Sequence, residues 1–318
     1  MYNATKQMDV VRLLPEGVIN FARVARINQW TKNLVVFAAI IFSGQLFNAD
    51  LFFRSVFACA IFCLLSSTSY IINDIIDAPA DRKHPTKKSR PIASGVISVR
   101  VAILMVIILG GGALGLALVF DASFFLLCLA FLCLQILYST ILKAYAVVDI
   151  FTISLSFMMR AFAGRTVTGY HIPIWLFLTI FFISLFIAAI KRNAELSIAG
   201  AEARHTLAKY NKNFLDFLIY TFSTATIIAY SLYSYIEQPP YVATPVSIFF
   251  GTLFPGIEGR KLMTLTIPLV VYAVARYGQL FYTRIEGERP EKIVISDGPL
   301  IGAMLLWGAM IITFIYLL

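Results

Sequence analysis

The sequence predicts an all-α, polytopic membrane protein with about nine transmembrane helices. Three observations carry that expectation. Mean hydropathy is +0.82, with 59% of residues apolar and 14% charged, far from the composition of soluble domains. Apolar stretches recur along nearly all of the 318 residues, most of them near the ~20 residues that carry a helix across a bilayer. Finally, 20 of the 26 Lys and Arg fall in segments that alternating spans would place on one side. The net charge of +9 is therefore read through topology, because basic residues crowd cytoplasmic loops. No soluble basic domain remains to carry a nucleic-acid surface, which excludes that class of partner.

Taken in order, residues 1–33 read as a cytoplasmic, interfacial segment. No uninterrupted apolar h-region marks a cleavable signal. Val18, Ile19, Ala22, Ala25 and Ile27 recur among Arg23, Arg26 and Lys32, with Trp30 close by, the pattern of a helix lying in the headgroup plane. Residues 34–318 then form a single transmembrane domain. Its apolar stretches run over 33–48, 51–76, 98–120, 122–142, 147–168, 173–192, 214–236, 262–282 and 298–318. The first is short enough to be partly re-entrant. Asn48-Ala49-Asp50, Asp121, Tyr170-His171 and Pro239-Pro240 punctuate one side, and the long polar loops 77–97, 193–213 and 283–297 fall on the other. The charge bias puts the N-terminus in the cytoplasm and the C-terminus outside. The four cysteines lie inside apolar runs and read as small packing residues, without a disulfide framework. Nothing in the sequence fixes an oligomeric state.

The chemistry concentrates between Asn73 and Gly95. Asn73, Asp74, Asp77 and Asp81 fall within an arc of about 100° on a helix. Acids at a helix C-terminus oppose the macrodipole, so a plain cap would favour Lys or Arg there. They also follow the run Tyr70-Ile71-Ile72 directly, at a depth where ionisable groups carry function by default. Hard carboxylate oxygens beside a basic strip suit Mg²⁺ that in turn holds a diphosphate. Pro79 is expected to interrupt the helix and leave Asp81 on a loosened turn. Lys83, Lys87, Lys88 and Arg90 follow, and Arg90-Pro91 beside Ser94-Gly95 reads as a fixed turn that aims a guanidinium at a phosphate. A positive-inside loop accounts for the sign of these charges but not for their nearness to the carboxylates.

A second set of charges ends later spans. Tyr138, Lys143 and Asp149 are expected at one membrane face and form a candidate substrate site, although snorkelling alone accounts for Lys143. Arg160 lies midway along its span and needs a cavity or a partner such as Asp149, which is about 16 Å away along a helix. Lys191 and Glu195 are an i, i+4 pair, and with Arg192 they read either as a helix-end ion pair or as a second wall of a phosphate site. The second and sixth spans both run into long charged cytoplasmic loops, an internal parallel that two halves facing one central cavity would explain. Lys32 and Asn33 are placed to reach the same cytoplasmic pocket. His84, His171 and His205 are scattered and share no metal spacing.

These residues resemble the UbiA-type intramembrane prenyltransferase superfamily. The NDxxDxxxD signature stands as Asn73, Asp74, Asp77 and Asp81 after the second span, and the nine-span layout covers nearly the whole chain. The resemblance implies a UbiA-like helical fold around a central cavity open to the cytoplasm and to lipid. One branch is the better match. Gln29-Trp30-Thr31-Lys32-Asn33, Asp81-Arg82-Lys83-His84-Pro85-Thr86-Lys87, Arg90-Pro91-Ile92-Ala93-Ser94-Gly95, Tyr138-Ser139 with Lys143 and Asp149, Arg160-Ala161 with Ala163-Gly164, and Lys191-Arg192 with Glu195-Leu196 are similar to decaprenyl-phosphate phosphoribosyltransferases. That branch joins phosphoribosyl pyrophosphate to a polyprenyl phosphate, a step toward cell-wall arabinan precursors, in the plasma membrane. Lys191-Arg192-Asn193-Ala194-Glu195 stands where classical members carry a second aspartate-rich motif, and Pro79 stands where an acidic residue is common.

The site expected from this reading has Asp74, Asp77 and Lys191 as catalytic residues and Asn73, Asp74, Asp77 and Asp81 on Mg²⁺. Lys32, Lys83, Arg90, Tyr138, Lys143, Asp149, Arg160, Lys191, Arg192 and Glu195 line the substrates. Two other readings stay open: an aromatic-acceptor prenyltransferase of quinone or haem biosynthesis, and a membrane transporter using the same charges as a relay.

Overall fold

The structure, a computed structural model, describes residues 16–83, 87–199, 210–238, 240, 248–249, 252, 262–283 and 296–317. All regular structure among them is helical. The helices are α1 (Glu16–Ala25), α2 (Ala38–Phe42), α3 (Ala49–Asp81), α4 (Val99–Phe120), α5 (Ala122–Thr140), α6 (Val148–Thr168), α7 (Ile174–Ala199), α8 (Lys212–Ile236), α9 (Ile267–Thr283) and α10 (Gly298–Tyr316). His84 and His205, most of 239–261, and 284–295 lie outside the described residues.

Six of these helices, α3, α4, α5, α7, α8 and α10, are long and apolar enough to cross a membrane, which makes the chain a multi-pass membrane protein. The expected count of nine is not reached on that measure, for physical reasons that differ by segment. Stretch 33–48 is not one helix: a 3-10 segment, Ile27–Phe37, runs into the five-residue α2. Helix α9 has 17 residues, about 25 Å of helix against a hydrocarbon core of about 30 Å. Helix α6 has the length but buries the polar side chains of Asp149, Ser154, Ser156 and Arg160.

Two compact units divide the chain. One comprises Met1–Leu34 with Phe57–Ile141, the other Val35–Val56 with Leu142–Leu318. In the first, α4 exposes Ile103, Leu104, Ile107 and Ile108, an apolar surface of the kind a bilayer covers. Gly110 lets α4 approach α3 there, since a Cβ would stand 2.9 Å from the Thr68 methyl. In the second, Gly164 of α6 faces the backbone of the segment before α2, where a Cβ would lie 1.9 Å from the Val36 carbonyl oxygen.

Helix ends follow from side-chain chemistry. Ser98, Asp121, Asn211 and Asp297 each accept a backbone N–H in the first turn of α4, α5, α8 and α10, satisfying donors the helix leaves open. Asp297 also pairs with Arg276 of α9 at 2.8 Å, so a charge inside an apolar stretch is neutralised. Gly169, at φ +77°, stops α6 in the left-handed conformation that favours glycine.

The 3-10 segment is long for its type, and its side chains explain why. In a 3-10 helix, residues three apart eclipse, which puts Trp30 and Asn33 on one edge. The Trp30 Nε1 donates to the Ser67 hydroxyl at 3.0 Å, and the Asn33 amide donates to the Cys63 sulfur at 3.2 Å. Cys63 and Ser67 are one turn apart on α3, so the segment is fastened along that face. None of the four cysteines forms a disulfide; Cys63 and Cys128 are buried, Cys59 is half-buried and Cys133 is exposed.

Candidate active site

The acidic end of α3 differs from expectation at Pro79. The helix runs unbroken through it to Asp81. A proline there removes one backbone bond, and the last turn is held instead from outside by Arg90, whose Nη1 donates to Asp81 at 2.7 Å. The same nitrogen reaches Asp74 at 3.1 Å. Asp74 and Asp81 are two turns apart on one face, and their oxygens converge on a single cationic nitrogen. Asp77 turns aside to accept from the Asn73 amide at 2.9 Å.

Arg90 is presented by the fixed turn its sequence foretold. The Ser94 N–H donates to the Arg90 carbonyl at 2.8 Å, and the Ile97 N–H to the Pro91 carbonyl at 3.0 Å. Gly95 closes the turn at φ +83°, a conformation that suits glycine. The guanidinium is aimed at carboxylates in this arrangement.

A further group, absent from the sequence reading of this site, completes it. Arg26, at the end of α1, donates from Nη2 to the same Asp74 oxygen at 2.6 Å and lies 4.9 Å from the centre of the Tyr70 ring. The two arginine side chains are about a quarter exposed, while Asp74 and Asp81 are almost covered. The guanidinium groups therefore form the outer layer of the acidic site. Lys83, Lys87 and Lys88 are exposed, and Lys32 and Tyr138 are half-buried.

The second unit holds a buried ionic centre between the start of α6 and the C-terminal half of α7, which runs on past the expected span end at 192 to Ala199. Arg192 donates from Nε to Asp149 at 2.6 Å, with side-chain exposures of 2% and 0%. Its Nη1 binds Glu195. The other Asp149 oxygen accepts the Tyr210 hydroxyl at 2.7 Å and the Ile150 N–H at 2.9 Å. The Tyr210 oxygen in turn accepts the Val147 N–H at 2.6 Å. Val147 has φ +70°, costly for a β-branched residue, and its amide would otherwise lie open at the helix start. Burial, and then the hydrogen bond to Asp149, raise the Tyr210 hydroxyl above the usual range for a phenol.

The pairing of Arg160 with Asp149 is thus overturned: Asp149 belongs to Arg192. Arg160, also buried, donates to the Ser156 carbonyl at 2.8 Å and hydroxyl at 3.0 Å, and stacks on Phe157. Glu195 takes Arg192 three residues away. Lys143 and Lys191 are half-buried.

Residues 34–292 match the UbiA prenyltransferase family. The chain belongs to that family. It is a UbiA transferase, and its relatives narrow the branch. It is 32% identical to a decaprenyl-phosphate phosphoribosyltransferase of Mycobacterium tuberculosis over 95% of this chain and 96% of that one. A protein of the same name from Corynebacterium glutamicum is 31% identical over 96% of this chain and 88% of its own length. In fold, it is similar to a UbiA homologue from Archaeoglobus fulgidus solved with GPP and Mg²⁺, at a TM-score of 0.68 and 20% identity, covering 93% of this chain and 99% of that one. The same homologue has been solved with Cd²⁺.

The acidic residues of this UbiA chain suit a divalent cation by donor type. Asp74 and Asp81 already share one positive partner, and Asp77 lies one turn from Asp74 and Asp81 alike. Among the described residues, no three His, Cys, Asp or Glu side chains gather closely enough to hold a metal ion. The reason is visible at the same place: Arg26 and Arg90 occupy the carboxylates.

Arg26 and Tyr210 are the residues that sequence reasoning missed at these two sites. The positive-inside rule absorbed the sign of Arg26, and Tyr210 is 61 positions from its partner. A charge at the exact close of an amphipathic helix was the one available signal for Arg26.

Proposed function

We propose that this UbiA protein transfers 5-phosphoribose from phosphoribosyl pyrophosphate to a polyprenyl phosphate of decaprenyl type, releasing pyrophosphate. The observation that carries the reading is the 32% identity to a decaprenyl-phosphate phosphoribosyltransferase along 95% of the chain. The site chemistry supports it. Such a reaction brings a 5-phosphate, a pyrophosphate and a lipid phosphate together, and charges that dense call for cations beyond a metal. Lys191 is a cation of that kind, in a segment where a second acidic motif would repel.

In this mechanism Asn73, Asp74, Asp77 and Asp81 would hold Mg²⁺, which when bound would neutralise charge on a pyrophosphate leaving group. Arg90 moves from the carboxylates to phosphate oxygens, for which its planar fork is suited. Lys191 and Lys143 are proposed as phosphate contacts of the second unit, and Lys32, Lys83 and Tyr138 as substrate contacts of the first. Arg192, Asp149 and Glu195 act as positioning residues, since Asp149 is fully buried and each of its oxygens is engaged. A ribose hydroxyl contact at Asp149 is not supported by that burial, nor a substrate contact at Arg160. The C1–O bond to pyrophosphate breaks and a lipid phosphate oxygen bonds to C1. That oxygen is already anionic, so no general base is required.

We place the protein in the plasma membrane with its N-terminus cytoplasmic, 34–318 acting as one transmembrane domain, and its product feeding cell-wall arabinan precursors. The test is incubation of purified protein with labelled phosphoribosyl pyrophosphate and a polyprenyl phosphate. Lipid-linked phosphoribose is the expected product. Prenylation of an aromatic acid from a prenyl diphosphate, with no lipid-linked phosphoribose, would overturn the reading.

A further inference from the structure

We propose that Arg26 is a donor-phosphate contact: it rests on Asp74 and exchanges that carboxylate for a pyrophosphate oxygen when the donor binds. The inference rests on reading the end of α3 as a metal–diphosphate site.

Charge distribution supports it first. Arg90 alone reaches both Asp74 and Asp81, so the two buried carboxylates already share a partner. Arg26 adds a second guanidinium to an Asp74 oxygen that Arg90 also uses. The acid that Arg26 serves is one that another cation serves already. Among the described residues Arg26 engages only Nη2, in that bond, and the Tyr70 ring face. A guanidinium has five N–H donors in a fixed fork, so most of its capacity remains for an incoming acceptor. Because the arginines are the more exposed layer and the aspartates the covered one, an anion entering from outside meets Arg26 and Arg90 first.

Its placement is also built rather than loose. Arg26 is a non-glycine residue at φ +49°, a left-handed conformation costing roughly 1–2 kcal/mol. The Ala25 carbonyl accepts the Ser67 hydroxyl at 2.7 Å, Ser67 is bonded by Trp30, and the Arg26 carbonyl accepts the Gln29 N–H at 2.8 Å. These bonds fix the backbone on both sides of Arg26 against α3, and Tyr70 supports the plane of the guanidinium. Strain held by such surroundings gathers at ligand clamps.

The experiment uses the full chain in nanodiscs and two probes. Calorimetry with inorganic pyrophosphate in the presence of Mg²⁺ reads the anion; electron paramagnetic resonance of Mn²⁺ without pyrophosphate reads the metal. Arg26→Gln is expected to weaken pyrophosphate binding about tenfold to a hundredfold, the range of a lost charge-assisted bond. The same variant is expected to bind Mn²⁺ as well as or more tightly than the parent, because a competitor for Asp74 is gone. Arg26→Lys, a point charge without the fork, should fall between, and it carries the test if Arg26→Gln does not fold. Unchanged pyrophosphate affinity in both variants overturns the proposal. Weakened Mn²⁺ binding also overturns it, since Arg26 would then act only by holding Asp74. If the parent itself binds no Mg²⁺–pyrophosphate, the metal–diphosphate reading fails instead. Pyrophosphate is the leaving group of prenyl and phosphoribosyl donors alike, so the outcome does not depend on which donor is used.

Discussion

Arg192 Nε lies 2.6 Å from Asp149 Oδ2, and neither side chain is open to solvent. The pair joins the C-terminal half of α7 to the start of α6. Removing one member leaves a buried charge unanswered, which costs about 3–5 kcal/mol. Arg192→Met is therefore expected to lower thermal stability strongly in detergent. The double variant Arg192→Met with Asp149→Asn should recover much of the loss, since the fully buried charge is gone and Glu195, the other partner of Arg192, is about a third exposed. Equal destabilisation of the single and double variants would show that packing, not charge, sets the cost.

Tyr210 extends this centre. Its hydroxyl donates to Asp149 and accepts from Val147, so Tyr210→Phe deletes two buried bonds at about 1 kcal/mol each. The pH dependence has a definite sign. The folded-state pKa is raised by burial and by the Asp149 hydrogen bond, so the tyrosine's contribution is present below about pH 10, the unfolded value, and is lost as pH climbs toward the folded one. Chemical denaturation between pH 8 and about pH 11 should show the parent losing stability at the alkaline end. Tyr210→Phe should be less stable at the outset and lose less.

How much of this was legible depends on how far apart the partners lie. The helix starts were readable at Asp121 and beside Asp297 because capping is local. The acid face of α3 was readable because four positions on one helix fix their own geometry. Local rules misled at Pro79, where a long-range tie from Arg90 to Asp81 holds the turn that proline weakens. They were silent on Arg26 and Asp74, 48 positions apart, since a basic residue in a cytoplasmic segment needs no partner to explain it. The Trp30–Ser67 and Asn33–Cys63 bonds likewise turned an expected apolar stretch into a 3-10 segment followed by a short helix.

Two glycines separate a rigid contact from a yielding one. A Cβ at Gly164 would meet the Val36 carbonyl oxygen at 1.9 Å, which is backbone; at Gly110 it would meet the Thr68 side chain at 2.9 Å. Overpacking costs roughly 1–3 kcal/mol where neighbours adjust, and more where they do not. Gly164→Ala should therefore sharply reduce the yield of folded protein, whereas Gly110→Ala should be purified at a modest loss of thermal stability. Size-exclusion profiles and melting curves of the two variants check the order, and the reverse order would contradict the close crossing at Gly164.

Asp77 offers the cleanest separation of chemistry from folding. It accepts from the Asn73 amide at 2.9 Å, and an asparagine at 77 keeps an oxygen able to do so. Asp74, by contrast, is buried beneath two arginines, so changing it disturbs the ion pairs as well. Asp77→Asn is thus expected to leave the melting temperature within a few degrees while turnover falls by orders of magnitude, since a carboxylate is a far better ligand for a hard cation than an amide. Lys191→Ala should act differently, raising the donor KM before it lowers kcat if it contacts phosphate outside the transition state. Measuring kcat, KM and Mg²⁺ dependence for both variants distinguishes the roles. Near-normal activity in Asp77→Asn would remove that residue from the metal site, and an unchanged rate in Lys191→Ala would leave the end of α7 as topology alone.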